Sequence, residues 1–391
     1  MKQLFSFAVY AAFIFVMCTD DIFSIPAFAR KYNMTCKTCH SPFPKLKQYG
    51  LEFAGNGFEL KDKDAPRYYI NTGDPELSLI RDIPLAIRVE GFLQYNQDDS
   101  RKSDFYTPAV LKLLSGGTIT NNVAYYLYYI LENGEPGKIE DAWIMFNNLF
   151  GSEFDLSFGQ FQVSDPIFKR ELRLTRDDYY IYKLKPGNSK VDLTYDRGLV
   201  LAYGFESGTN ITVEVLNGSG IGEGFADGNF DNDKYKNLFG FISQDITGNF
   251  RIGALGYWGK EEQKNQAGNF YAVNELWMVG GDATISFDPV ELNVQFVERK
   301  DGNPYFESVS KDIKSRGAFV ECVLRPDGDN SKWYSAALFN WIESDLDENN
   351  LKSLGAHLGY LLRRNIRLVG EYGYNFTSKF GTASIGFVSA F

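Results

Sequence analysis

The most specific chemistry in this chain lies in five consecutive residues, Cys36-Lys37-Thr38-Cys39-His40. Two thiols three positions apart, followed at once by an imidazole, present both sulfurs to one porphyrin edge and a ring nitrogen to its face. The sulfurs can add across the vinyl groups of haem while the histidine binds the iron. The pattern therefore predicts one covalent haem c, with Cys36 and Cys39 as tethers and His40 as proximal ligand. A thioredoxin-like CxxC would need a βαβ surround, which the flanking sequence lacks.

What holds such a group must come from elsewhere in the chain. Residues 41–82 carry Pro42, Pro44, Pro66 and Pro75 with several glycines, a stretch too short and broken to enclose a haem. Neither His nor Met occurs between Ser41 and Ile144 to serve as a local distal ligand. Before the motif, Met1-Lys2-Gln3 precedes an apolar run from Leu4 to Met17 and a polar stretch to Ser24, the layout of a secretory signal peptide over 1–24. Ser24 and Ala29 are the alternative cleavage points, and export suits covalent haem attachment outside the cytoplasm. No other segment is long and apolar enough for a helical membrane span. With 40 Lys+Arg against 50 Asp+Glu the chain carries −10 at pH 7, which argues against a nucleic-acid partner.

From about residue 83 onward, apolar residues recur at period two. Leu85, Ile87, Val89, Leu93 and Tyr95 alternate with Arg88, Glu90 and Gln94; Ile366, Leu368, Tyr372 and Tyr374 alternate with Arg367, Glu371 and Asn375. Such alternation marks half-buried strands. The first eight fall near 84–97, 105–115, 121–133, 138–149, 153–163, 196–206, 208–217 and 235–246. Eight more fall near 249–259, 274–287, 290–300, 314–326, 331–343, 352–363, 365–376 and 379–391. Tight links such as Gly151-Ser152, Thr247-Gly248 and Arg364-Asn365 alternate with long polar links near 164–195, 218–234, 260–273, 301–313 and 344–351. About sixteen strands of transmembrane length, 16% aromatic residues and two classes of connection predict an antiparallel outer-membrane β-barrel over 83–391. The long links are then external loops, and residues 25–82 a haem-bearing segment or plug. The bland alternative, a soluble β-sandwich, leaves the outward Tyr and Phe and the two loop classes unexplained.

On the strand Leu354–Arg363, Leu354, Ala356, Leu358, Tyr360 and Leu362 point outward, so His357 faces the lumen between Gly355 and Gly359. Glycines on both sides leave room for something bulky. His357 is thus the first candidate for a second iron ligand, against the alternative of a lumen histidine bonded to a carboxylate. Met145 and Met278, also on lumen faces, and water are the other candidates; Met34 lies awkwardly close to Cys36. Cys322 reads as a small lipid-facing residue. Asp227–Asp233 spaces oxygens like a calcium loop but lacks its glycine and terminal glutamate, and reads as one of several acidic external loops.

Pro26, Phe28-Ala29-Arg30, Cys36, Cys39-His40, Pro44, Leu46, Gly50, Phe53 and Gly57-Phe58 resemble the start of the fused cytochrome–porins of iron-oxidising bacteria. Lys31-Tyr32-Asn33 and Leu51 depart from that family's pattern, and the detailed match covers about residues 25–60 only. Haem-barrel proteins of metal-reducing bacteria look similar over the same stretch. The resemblance implies a haem plug in or under a barrel that exchanges electrons between external metal ions such as Fe2+ and periplasmic c-type cytochromes. Two other classes stay open: a diffusion porin with a structural haem, and a haem peroxidase or gas sensor.

Overall fold

In the computed structural model the described residues are 27–60, 69–70, 72–81, 83–97, 102–222, 224, 228–265 and 268–391. The signal segment 1–24 and Asp227 lie outside them. Among the described residues three short helices come first: α1 (Ala27–Tyr32), α2 (Cys36–Cys39) and α3 (Gln48–Gly55). A two-residue ladder pairs Tyr69–Ile70 with Leu79–Ile80.

Sixteen strands follow, one for each segment read from the alternation. They are β1 (Leu85–Asn96), β2 (Ser103–Thr120), β3 (Val123–Glu132), β4 (Lys138–Leu149), β5 (Phe154–Gln162), β6 (Tyr195–Gly204), β7 (Thr209–Leu216) and β8 (Asn237–Thr247). The second half comprises β9 (Phe250–Lys264), β10 (Tyr271–Phe287), β11 (Val290–Asp301), β12 (Ile313–Leu324), β13 (Trp333–Ser344), β14 (Leu351–Arg363), β15 (Ile366–Asn375) and β16 (Phe380–Ala390). Each pairs antiparallel with its sequence neighbours, and β16 pairs with β1 to close the barrel. Past β16, the Phe391 carbonyl accepts from Ile87 N at 2.7 Å and Phe391 N donates to Ile87 O at 2.8 Å. The chain end is thereby stitched into the seam.

The exterior is the apolar face of the alternation. Leu93, Leu127, Phe158, Ile242, Val279, Phe296, Leu358 and Ile385 are exposed around the wall. Exposed aromatics mark both rims: Phe150, Phe205, Phe287, Trp333 and Phe391 at the short-turn end, and Tyr95, Phe105, Tyr271 and Phe376 at the long-loop end. Two aromatic belts flanking a greasy band are the exterior of a lipid-embedded barrel. Cys322 belongs to this outward row, between buried Glu321 and Val323.

One long link does not extend outward. Residues 163–194 fold back into the lumen, contrary to their expected place as an external loop. The physical reason is the loop's own apolar content. Val163, Ile167, Tyr179, Ile181, Tyr182, Leu184, Val191 and Leu193 are all buried, and they pack on lumen-facing Phe239, Phe241, Leu255, Tyr257, Leu276, Met278 and Phe319. Left outside, these side chains would forfeit roughly 1.5–3 kcal/mol each. Arg299, 2% exposed at its side chain, pins the returning limb by donating to Leu184 O (2.9 Å) and Val191 O (2.7 Å) while paired to Asp301 at 2.7 Å.

Arg299→Leu would leave Asp301 buried without its cation and two carbonyls without their donor, a loss on the order of 3–5 kcal/mol. Protease added to the detergent-solubilised variant is expected to cut within 163–194 at least about tenfold faster than in the parent, with the barrel intact. Equal rates would show that Arg299 does not hold the loop.

Candidate haem site at the short-turn mouth

The helical segment 27–58 closes the barrel end that bears the short turns, and the candidate tether residues lie within it. His40 N donates to Cys36 O at 2.9 Å, which ends α2 and sets the His40 side chain just past the two thiols. The chain then doubles back: Ser41 N bonds Lys45 O, Lys47 N bonds Cys39 O, and His40 bridges to Leu46. Gly50 lets α3 lie directly on this turn, since a Cβ there would collide with Cys39 O. Around Cys39 the segment builds a core of its own from Tyr32 and Phe53, with Phe28, Met34, Leu46 and Phe58 against them. Phe58 stacks on Phe28 at 4.4 Å and on the barrel's Trp143 at 6.5 Å. Gly57 has φ +61° and faces Ala124 and Asn147, where a side chain would collide with the wall. Phe28, Leu46, Gly50, Phe53, Gly57 and Phe58, quoted above for the family resemblance, are therefore the residues that fold this plug and seat it.

Ionic contacts lock the plug to the wall. Lys45 lies between Glu291 (3.0 Å) and Glu321 (3.2 Å), both on the lumen side of the sheet. Burial alone would lower the Lys45 pKa; the two carboxylates outweigh it and hold the ammonium charged. Lys47 pairs with Asp329 at 2.7 Å, Lys37 donates to Asn330 Oδ1 at 2.6 Å, and Arg325 donates to Ser41 O at 3.0 Å. On the far side Asn147 donates to Asn56 O at 2.9 Å.

A crevice of about 300 Å³, counting space open to solvent, separates the plug from the rim. Cys36, His40 and Phe43 line one wall; Asp329, Leu361 and Arg364 line the other. His40 Nδ1 lies 2.7 Å from Pro44 O. Only a protonated Nδ1 can bond a carbonyl, so the hydrogen bond fixes the tautomer and makes Nε2 the nitrogen with a free lone pair. Burial draws the His40 pKa down to about 4 against the pull of the Pro44 and Lys45 carbonyls, so the ring is neutral, as a metal ligand must be. Burial also pushes up both thiols, Cys39 to about 11, which keeps them from acting as freely reactive thiolates. Cys36 and His40 open on the crevice, whereas Cys39 turns into the plug core against Tyr32 and Phe53. A covalently tethered haem would use Cys36, His40 and the apolar wall at Leu361 from the crevice side and would draw on Cys39 from within the plug.

His357 is elsewhere. It faces the lumen on β14, 4% exposed, with Nδ1 2.8 Å from Glu371 Oε2 and Nε2 3.2 Å from Tyr334 OH. Both ring nitrogens are engaged in this arrangement, and the residue does not line the crevice. The space beside it is taken by protein: a Cβ on Gly359 would strike the Tyr334 ring, and one on Gly355 would meet Asp177 of the inward loop. Met278 is buried in the loop–wall core and Met145 lies under Gly57, neither of them on the crevice wall. Among the described residues no group of three His, Cys, Asp or Glu side chains could hold a metal ion. Motif reasoning did not reveal Lys45, Leu361 or Arg364, because their roles depend on a plug meeting strands some 250–320 positions later.

No protein-family model matches the sequence, and no curated protein matches it. Solved structures do. An anion-selective porin from Comamonas acidovorans is 12% identical with a TM-score of 0.57, over 79% of this chain and 99% of that one. The fold is that of the outer-membrane porins. The outer-membrane channel DcaP of Acinetobacter baumannii (14% identity, TM-score 0.54, 79% and 97% covered) matches comparably. So does OmpT of Vibrio cholerae (13%, 0.53, 79% and 99%).

The low pKa of His40 carries a sign that can be measured in haem-free protein. An unfolded His titrates near 6.5, so between pH 6.5 and about 4 an undocked segment takes up a proton that the docked one excludes. Docking is therefore strongest above 6.5 and weakens as pH falls toward 4. Protease sensitivity of residues 36–58 in a Cys36→Ala/Cys39→Ala chain should rise over that window, and less so when His40→Gln is added. A flat profile in both chains would contradict the burial of a neutral His40.

Proposed function

We propose that this chain is an outer-membrane barrel that carries one haem c at its short-turn mouth and passes electrons between the two sides. The partners would be an external donor or acceptor such as Fe2+ and a periplasmic c-type cytochrome. The single observation that carries the reading is the hydrogen bond from His40 Nδ1 to Pro44 O at 2.7 Å, one residue past the second tether cysteine. It leaves Nε2 as the unprotonated nitrogen, as a proximal ligand requires, on a residue that lines the crevice. The greasy band with its aromatic rims supports the membrane setting.

The bound haem would supply reversible one-electron chemistry, so that each Fe2+ becoming Fe3+ reduces one ferric cytochrome. The chain's own residues do the rest. Cys36 and Cys39 would tether the haem through their sulfurs, and His40, its tautomer already set by Pro44 O, would ligate its iron. Phe43, whose ring lies edge-on at 5.0 Å from that of His40, and Leu361 would supply apolar contact beside the ligand. Lys45 and Lys47 keep this assembly against the rim.

Similarity to porins favours a second reading, solute diffusion through the barrel with a structural haem. The lumen weighs against a wide channel: Glu90, Tyr128, Glu214, Asn274, Gln295 and Asn340 face inward from all around the wall and are nearly inaccessible.

Liposomes that enclose an electron acceptor separate the readings. With Fe2+ added outside, the enclosed acceptor should be reduced in vesicles holding the parent chain and not in those holding Cys36→Ala/Cys39→Ala. An acceptor that stays oxidised while the haem is present and reducible would end the conduit reading. Solute efflux equal in both chains would favour the porin.

A further inference from the structure

The crevice beside His40 is charged in an unbalanced way. Three ionic side chains line it, Lys37, Arg364 and Asp329. Asp329 is already neutralised by Lys47 at 2.7 Å. Among the described residues the two cations have no such partner: Lys37 donates to the neutral amide of Asn330 at 2.6 Å, and Arg364 only grazes the Asp329 carbonyl at 3.4 Å. Both side chains are partly buried. A guanidinium and an ammonium without a carboxylate, held on opposite walls of one cleft, retain most of their donors for an anion. Leu361, buried between them and Tyr334, offers an apolar face beside the two charges. An apolar floor with cations at the rim suits a flat, greasy ligand that ends in carboxylates.

We propose that Arg364 and Lys37 clamp the carboxylate side chains of the porphyrin, so that the rim of β14 completes the cofactor seat begun by the plug. This rests on the haem reading above and goes further by assigning barrel residues to the cofactor. Arg364 forms charge-assisted hydrogen bonds from its fork, and Lys37, one position after the first tether, reaches the same edge from the plug side. Both charges then lie near the iron. A nearby cation favours the ferrous over the ferric form, because the latter carries one more positive charge. The clamp therefore raises the reduction potential and couples plug to wall through the cofactor itself.

The test uses the full-length, haem-loaded protein in detergent. Midpoint potentials are measured for the parent, Arg364→Gln, Lys37→Gln and, as a control of equal charge change, Arg363→Gln on the exposed neighbouring position. Haem content per chain is read from absorbance in every sample. The expected result is full haem content throughout, with a lower potential in the Arg364 and Lys37 variants than in the control. Potentials equal to that of the control, with haem content full, overturn the clamp and leave the haem reading intact. A parent chain without haem overturns the haem reading itself. Added phosphate that shifts the potential of the parent but not of Arg364→Gln would assign the cations to a free oxyanion and overturn the porphyrin assignment.

Discussion

Ring closure is the constraint on which the rest depends. In lipid an unpaired backbone N–H or C=O costs several kcal/mol, so a sheet can cross only if its last strand pairs with its first. Here β16 does so with β1 over residues 382–390, and the terminal residue adds two further bonds to Ile87. Closure commits the outward face within the lipid band to apolar side chains, with outward charges such as Arg316 and Glu343 kept toward the long-loop ends of the strands, and leaves the inward face to hold buried charge. Lys112, Glu140, Asp141, Glu214, Arg299, Glu321, Arg367 and Glu371 all point there.

Wall pairs such as Arg299–Asp301 neutralise part of this interior charge, and two segments inserted from opposite ends neutralise more. The inward loop brings Arg170, Glu171, Arg173 and Asp178, with Glu171 meeting Lys112 and Arg170 meeting Asp178. The plug brings Lys45 to Glu291 and Glu321. The two meet near one buried cluster, in which Leu174 of the loop packs with Tyr334 and Leu361 of the wall. Because Leu361 also lines the crevice beside His40, loop and crevice share a wall residue. The candidate haem site lies at the mouth, below most of the barrel's height, so it contacts the short-turn side directly and the long-loop side only through this packed interior.

Strand count and facing were legible because both follow from a two-residue period. His357 on the lumen face and Cys322 on the lipid face needed nothing more. The partners of His357 were not legible, since Glu371 and Tyr334 reach it through the register of β14 with β15 and β13. Gly355 and Gly359 did signal space for bulk, but the bulk is Asp177 and the Tyr334 ring. The length of the loop after β5 was plain and its direction was not, although Ile167, Leu174, Ile181, Leu184 and Leu193 are poor residues for an external loop. For the site, Cys36, Cys39 and His40 were visible as a motif. The barrel's contribution was hidden, because a rim turn at 328–331 and Leu361 approach the motif only when the chain is folded.

The most direct test is whether the chain extracted from membranes with detergent carries covalent haem. Haem staining of a denaturing gel, with absorbance for stoichiometry, should show one haem per chain, migrating with the polypeptide and lost in Cys36→Ala/Cys39→Ala. A parent chain that is folded, membrane-derived and colourless would contradict the account at its centre.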